Sequence, residues 1–149
     1  LDNKGVRLRI IGRTTELPDD VRAALARATE RTAHNSRLTL CVALNYGSRQ
    51  EIVDAVRALA ADVRDGHLAP GDIDEVTIAR HLYAPDIPDP DLMIQTSGEL
   101  RLSNFLLWQL SYAELYVTPT LWPDFDEQSF FDALHDFQNR ARRYGGLTG

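Results

Sequence analysis

Residues 91–104 read DLMIQTSGELRLSN. A short apolar run (Leu92, Met93, Ile94) leads into the polar turn Thr96-Ser97-Gly98, and Glu99, Arg101 and Ser103-Asn104 follow. The long apolar segment FLLWQLSYAELY comes at once after them. This order predicts strand, turn and helix, with the turn at the carboxyl end of a strand, where open α/β sheets place their ligands. Gly98 permits a sharp bend and a close approach of backbone to ligand. Ser103 suits an N-cap, free N–H groups at a helix start favour an anion, and Arg101 offers a planar fork for phosphate oxygens. Two readings stand on this stretch alone. One is a phosphate or diphosphate site; the other is a capped turn between a buried strand and a buried helix.

The rest of the chain repeats the pattern. Residues 6–12, VRLRIIG, read as a strand closed by Gly12. Pro18-Asp19-Asp20 opens a helix with Val21, Ala24, Leu25 and Ala28 on one face. Residues 38–44 are almost continuously apolar, as suits a strand buried on both faces of a parallel sheet. Asn45-Tyr46-Gly47-Ser48-Arg49 is a second strand-to-helix turn, and Ile52, Val53, Val56, Leu59, Ala60 and Val63 carry the next helix to about Gly66. Asp72 is expected to cap a short helix reaching about His81. His67 and His81 stand apart from other metal-ligating residues in sequence, which favours surface or capping roles. Pro85, Pro88 and Pro90 make an extended connection into the strand at 92–94.

Beyond the central stretch, residues 105–113 are apolar on nearly every side, which predicts a helix buried in the core or against another subunit. Glu114 interrupts this run just before the short strand Leu115-Tyr116-Val117. A carboxylate there needs a partner, and a metal ion and an arginine are both open as candidates. Residues 129–144 are the last predicted helix, with Arg140, Arg142 and Arg143 in its final turn, where positive charge complements the helix dipole. Strands and helices alternate throughout, so the class is α/β with a largely parallel sheet flanked by helices.

Bulk properties narrow the function. The chain has 149 residues, 44% hydrophobic and 26% charged, enough for one domain with a real core. No apolar run reaches a membrane span, and no secretory signal is visible. The single Cys41 lies in an apolar run as a buried thiol and can form no internal disulfide, which suits the cytoplasm. A net charge of −6 argues against general nucleic-acid binding. Residue 1 is Leu and the sole methionine is Met93, so the sequence reads as part of a longer chain.

With these residues in place, the chain closely resembles the cis-prenyltransferases, the undecaprenyl diphosphate synthase-like family. RLRIIG at 7–12, NYGSR at 45–49, DLMIQTSGELRLSNFLLWQLSYAELY at 91–116, and LWPDF with the terminal RRYGG carry the resemblance in the family's order. It implies that residues 1–149 are the C-terminal portion of a single cis-prenyltransferase domain, with the N-terminal part missing. It also implies a homodimeric, Mg²⁺-dependent enzyme that condenses isopentenyl diphosphate with an allylic diphosphate such as farnesyl diphosphate, with Z geometry. The product, an undecaprenyl diphosphate-type lipid-carrier precursor, is a membrane lipid. The expected location is therefore the cytoplasm, at most peripheral to the inner membrane face. By the same resemblance Arg101 and Ser103 bind the isopentenyl diphosphate, Glu114 is the carboxylate associated with Mg²⁺, and Arg143 and Gly145 form an Arg-x-Gly element reaching across the dimer.

Two departures qualify these expectations. Gln95 stands where family members usually carry Arg, so a neutral amide replaces one cationic ligand at the diphosphate position. The family's glycine-rich phosphate loop with its catalytic Asp, and its Asn-containing segment, do not occur in these residues. Two roles therefore remain open: the C-terminal portion of a working synthase, and a non-catalytic subunit that completes a partner's site.

Overall fold

The computed structural model describes residues 1–140. They divide into two compact units, Leu1–Ile87 and the residues from Pro88 on. The division falls inside the connection that holds Pro85, Pro88 and Pro90.

In the first unit, strand β1 (Val6–Ile11) pairs in parallel with β2 (Leu38–Ala43), Val6 opposite Leu38 and Ile11 opposite Ala43. Helix α1 (Asp19–Thr32) connects them and packs on β1. Val6 and Leu8 are buried on one face, as the alternation predicts, and Ile11 is buried on the other. Buried Thr32 ties the helix end to the sheet: its hydroxyl accepts from Leu8 N at 3.0 Å and donates to the Ala28 carbonyl at 2.9 Å. Gly12 is required where it stands. Its φ of 111° suits glycine, and a Cβ there would meet the Leu44 carbonyl oxygen at 2.1 Å.

Three expectations for this unit need correction. β2 is not buried on both faces: Leu38 and Leu40 are 58% and 39% exposed. Burial of both faces needs a layer on each side, and among the described residues β2 pairs with β1 alone. Helix α2 (Ser48–Arg64) buries only Leu59 of the expected apolar stripe, turning Ser48, Glu51 and Ala55 inward with it, while Val53 and Val56 face out. Helix α3 (Glu75–Arg80) is capped by Asp74, whose carboxylate accepts from Thr77 N at 2.7 Å; Asp72 closes the preceding short 3-10 turn instead.

In the second unit, β3 (Leu92–Gln95) pairs in parallel with β4 (Glu114–Val117), Leu92 opposite Glu114 and Gln95 opposite Val117. Helix α4 (Glu127–Gln138) starts earlier than expected because Asp126 caps it, accepting from Ser129 N at 2.8 Å. The predicted helix over 105–113 does not form. Ser103, Asn104 and Leu106 have φ of 48°, 61° and 44°, a left-handed backbone that breaks a right-handed helical ladder. Turns replace it, closed by bonds such as Leu110 N to the Leu106 carbonyl at 2.9 Å, and only Leu110 of this run is fully buried.

Candidate functional site

The turn after β3 is built as a strand-end turn, and its geometry decides what it can bind. Thr118 N donates to the Gln95 carbonyl at 2.9 Å, prolonging the β3–β4 ladder. Ser97 N then donates to the Thr120 carbonyl at 2.8 Å and Gly98 N to the Thr118 carbonyl at 2.9 Å. Buried Thr118 fixes this receiving segment through its hydroxyl, which bonds Thr120 N and Oγ1 at 3.2 and 3.0 Å. These two turn amides are thus spent within the chain and cannot cradle an anion. Since no helix begins at Ser103, that residue is no N-cap, and the helix start expected to attract phosphate is absent. Gly98 has φ 65° with open space around its α-carbon, so the backbone angle alone favours glycine there.

What remains for an anion is side-chain chemistry. A cleft of about 100 Å³ opens at this end of β3 and β4, lined by Gln95, Glu99 and Arg101 against apolar neighbours that include Met93, Leu115 and Val117. Gln95 and Arg101 therefore line one cleft. Ser103 is exposed and does not line the cleft. Arg101 forms an ion pair with Glu99 while its side chain stays 69% exposed.

Glu114 lies at the other end of the strand pair. It begins β4 opposite Leu92, three residues from the Gln95–Val117 end, roughly 10 Å at the usual strand rise. Its carboxylate meets Arg140 Nη1 at 3.2 Å, and Arg140 also donates to the Leu115 carbonyl and to Asp136. Of the two partners left open by the sequence, an arginine, Arg140, lies within reach of the carboxylate. Among the described residues no three His, Cys, Asp or Glu side chains converge to hold a metal ion. A single carboxylate already engaged by a guanidinium does not fit Mg²⁺ by itself. Arg143 and Gly145 lie outside the described residues.

Sequence reasoning missed several polar contacts in the first unit. Just past β1, Arg13 donates to both Asp54 oxygens at 3.1 and 2.7 Å, and Tyr83 Oη donates to the same carboxylate at 2.7 Å. The Arg13 guanidinium, then the Tyr83 hydroxyl, hold the Asp54 carboxyl down to about 2. Glu51, almost fully buried, accepts from Tyr46 Oη at 2.5 Å and Tyr83 N at 2.9 Å. A glutamate on the inward stripe of α2 was the available signal. His81 does have a partner: one ring nitrogen faces the Thr77 carbonyl at 2.8 Å and the other Asp62 at 2.9 Å. The Thr77 carbonyl and then Asp62 favour the protonated ring and raise its pKa.

The chain thus combines a parallel α/β arrangement with a strand-end cleft lined by an arginine and an amide. Residues 1–145 match the family described as "Putative undecaprenyl diphosphate synthase", and the chain belongs to that family. It is 53% identical to the isoprenyl transferase of Heliobacterium mobile, over 99% of this chain and 56% of that protein. It is 54% identical to the trans,polycis-polyprenyl diphosphate synthase, (2Z,6E)-farnesyl diphosphate specific, of Thermobifida fusca, over 98% of this chain and 52% of that one. Lavandulyl diphosphate synthase from Lavandula x intermedia, solved with dimethylallyl diphosphate, superimposes with a TM-score of 0.92 at 40% identity, over 95% of this chain and 61% of its own. The expected family and α/β fold class are thereby established. The chain spans roughly half to three fifths of the length of these relatives.

Proposed function

We propose that the complete polypeptide is a cis-prenyl chain-elongating transferase and that this chain supplies its isopentenyl diphosphate half. In that reaction the isopentenyl double bond attacks C1 of an allylic diphosphate, diphosphate leaves, and loss of a proton from the isopentenyl unit gives the new Z double bond. The observation that carries the reading is the meeting of Arg101 and Gln95 in one cleft at the strand ends, in a chain of this family. Arg101 would hold the diphosphate by charged hydrogen bonds, Gln95 would donate its amide, and the apolar wall of Met93, Leu115 and Val117 would receive the isopentenyl carbons. The farnesyl diphosphate specificity named for one relative and the dimethylallyl diphosphate bound in the other support an allylic diphosphate as the second substrate. The relatives are named as transferases or synthases, and nothing in them favours the non-catalytic alternative.

The remaining parts of the proposal rest on the resemblance. Residues 1–149 form the C-terminal portion of one catalytic domain. Ser103 completes the diphosphate site after a local rearrangement, and Arg143 and Gly145 reach it from a second copy. Mg²⁺ would be held by diphosphate oxygens together with a carboxylate, for which the resemblance offers Glu114. Exposed Phe105, Leu107 and Tyr112 suit a homodimer contact. Among the described residues no helix is long and apolar enough to cross a membrane, and we place the enzyme in the cytoplasm, peripheral to the membrane that takes its lipid product.

The test is incubation of the full-length polypeptide with farnesyl diphosphate, radiolabelled isopentenyl diphosphate and Mg²⁺. Butanol-extractable label is expected, and Arg101→Ala should raise the KM for isopentenyl diphosphate while leaving that for the allylic substrate nearly unchanged. Equal damage to both substrates would remove this cleft from the isopentenyl site.

A further inference from the structure

We infer that Glu99 is a built-in counter-ion for Arg101, occupying the place of the incoming diphosphate and setting how tightly the cleft binds it. The inference rests on the reading of this cleft as the diphosphate site. Its starting point is charge. Glu99 and Arg101 are the two charged residues lining the cleft, and they are paired with one another. With a neutral amide at Gln95, the ligand-free cleft therefore carries no net charge, although its proposed ligand is a polyanion.

The backbone offers no substitute for the missing charge. The amides of Ser97 and Gly98 are committed to the carbonyls of Thr120 and Thr118. Anion capture at this point depends on Arg101, and Arg101 is held by a carboxylate two residues away. A diphosphate must displace that carboxylate before it gains the guanidinium fork.

The pair is built to be displaced. Arg101 and Glu99 are 69% and 40% exposed, so water competes for both, and an exposed pair of this kind is weak. Residues 99–102 lie between two left-handed pairs, Ser97-Gly98 and Ser103-Asn104, and Leu100 between the partners is 86% exposed. In the free protein the carboxylate keeps Arg101 folded over its own loop; in the bound protein it becomes a solvated charge at the rim. Glu99 thus sets affinity as a positioning residue: it lowers the affinity for any anion by a fixed factor, so that a weakly held anion does not fill the cleft at concentrations where a diphosphate does.

The experiment is calorimetric titration of inorganic pyrophosphate, and separately isopentenyl diphosphate, into the full-length polypeptide at low salt and fixed Mg²⁺. Glu99→Gln should bind both ligands about two- to fivefold tighter, the range expected for releasing an exposed ion pair. Glu99→Ala should shift in the same direction, and the gain should shrink at high salt, where such pairs are screened. In an Arg101→Ala background the Glu99→Gln gain should vanish, since the two residues act through one contact. If Glu99→Gln and Glu99→Ala leave binding unchanged or weaken it while Arg101→Ala still weakens it, the counter-ion inference fails and the diphosphate site stands. If Arg101→Ala changes the binding of neither ligand, the site itself is misassigned, and the inference falls with it.

Discussion

Arg13 and Arg101 both follow the carboxyl end of a parallel strand, yet the molecule uses them in opposite ways. Arg13 places two N–H groups on Asp54, which also takes the Tyr83 hydroxyl, and the Arg13 carbonyl accepts the Asn45 side-chain amide at 3.1 Å. Its geometry is over-determined: a bidentate fork on a carboxylate that is itself hydrogen-bonded. Arg101 meets Glu99 from an exposed loop. The contrast separates structural from functional arginines better than position on the strand does. A guanidinium whose partner is itself held cannot turn to a ligand, whereas one held by a lone exposed carboxylate can. The first unit should therefore answer mutation mainly through stability, and the Glu99–Arg101 cleft mainly through binding.

The largest expected effect lies at Glu51, which shares Tyr83 with the Arg13–Asp54 pair. Glu51→Ala removes the buried acceptor of two half-buried groups, Tyr46 Oη and Tyr83 N. At about 1–3 kcal/mol for each donor left unsatisfied, plus a small cavity, the loss should be about 3–5 kcal/mol. Urea unfolding measures it directly. A loss under about 1 kcal/mol would mean that water replaces the carboxylate, and that the first unit is less rigid than its network suggests.

Asp54→Asn comes next, at about 1.5–3 kcal/mol for hydrogen bonds to a charged group. It also has a signature in pH. The folded carboxyl is held down to about 2 by Arg13 and then Tyr83, against an ordinary value of 3.8. A depressed acid contributes stability that is complete above pH 3.8 and is lost as pH falls toward 2. Acid titration of stability should show this loss in the native protein, and the Asp54→Asn variant should lack it. An unchanged acid profile in the variant would mean that other carboxylates dominate that window.

These two variants also show where sequence reading stops. The parallel α/β class was legible because apolar runs alternate with helical spacing, and Gly12 and the proline connection marked real boundaries. The cleft was legible as to Gln95 and Arg101, since both follow directly from strand and turn. What failed was local. A continuous apolar run at 105–113 has no period that separates helix from turns, and left-handed Ser103, Asn104 and Leu106 carry no glycine to announce themselves. The partners of Glu51, Asp54 and Glu114 were hidden because pairings across 26 to 41 residues follow from tertiary contact, not spacing. Glu99 lay in plain sight beside Arg101, but a charge next to a charge in sequence looks like solvated surface.

On the other side of the comparison stands Arg101→Ala. Because the side chain is exposed and its contact weak, stability should change by no more than about 0.5 kcal/mol. Diphosphate binding should weaken by tenfold or more, the scale of a lost charged hydrogen bond. A large fall in melting temperature would class Arg101 with Arg13 and erase the distinction between them.

The smallest effect tests the contrast most finely. Gln95→Arg restores a second cation to the cleft that Gln95, Glu99 and Arg101 share. Taken alone, a new guanidinium on a diphosphate is worth about 1.5–3 kcal/mol. The cleft also contains Glu99, however, and a second arginine gives that carboxylate another partner. Up to about 1 kcal/mol of the gain is therefore spent on a new ion pair in the free protein, and ordered water already serving the amide would trim it further. The net expectation is about 1 kcal/mol, or roughly fivefold in KM for isopentenyl diphosphate. The allylic KM should stay nearly unchanged when measured at saturating isopentenyl diphosphate and fixed Mg²⁺. Removing the competitor should recover the remainder, so Gln95→Arg with Glu99→Gln should gain more than the two single variants combined. Simple additivity would show that Glu99 does not contact residue 95, leaving Arg101 as its sole partner in the cleft. No gain from Gln95→Arg in either background would mean that residue 95 does not face the diphosphate, and the cleft would then rest on Arg101 alone.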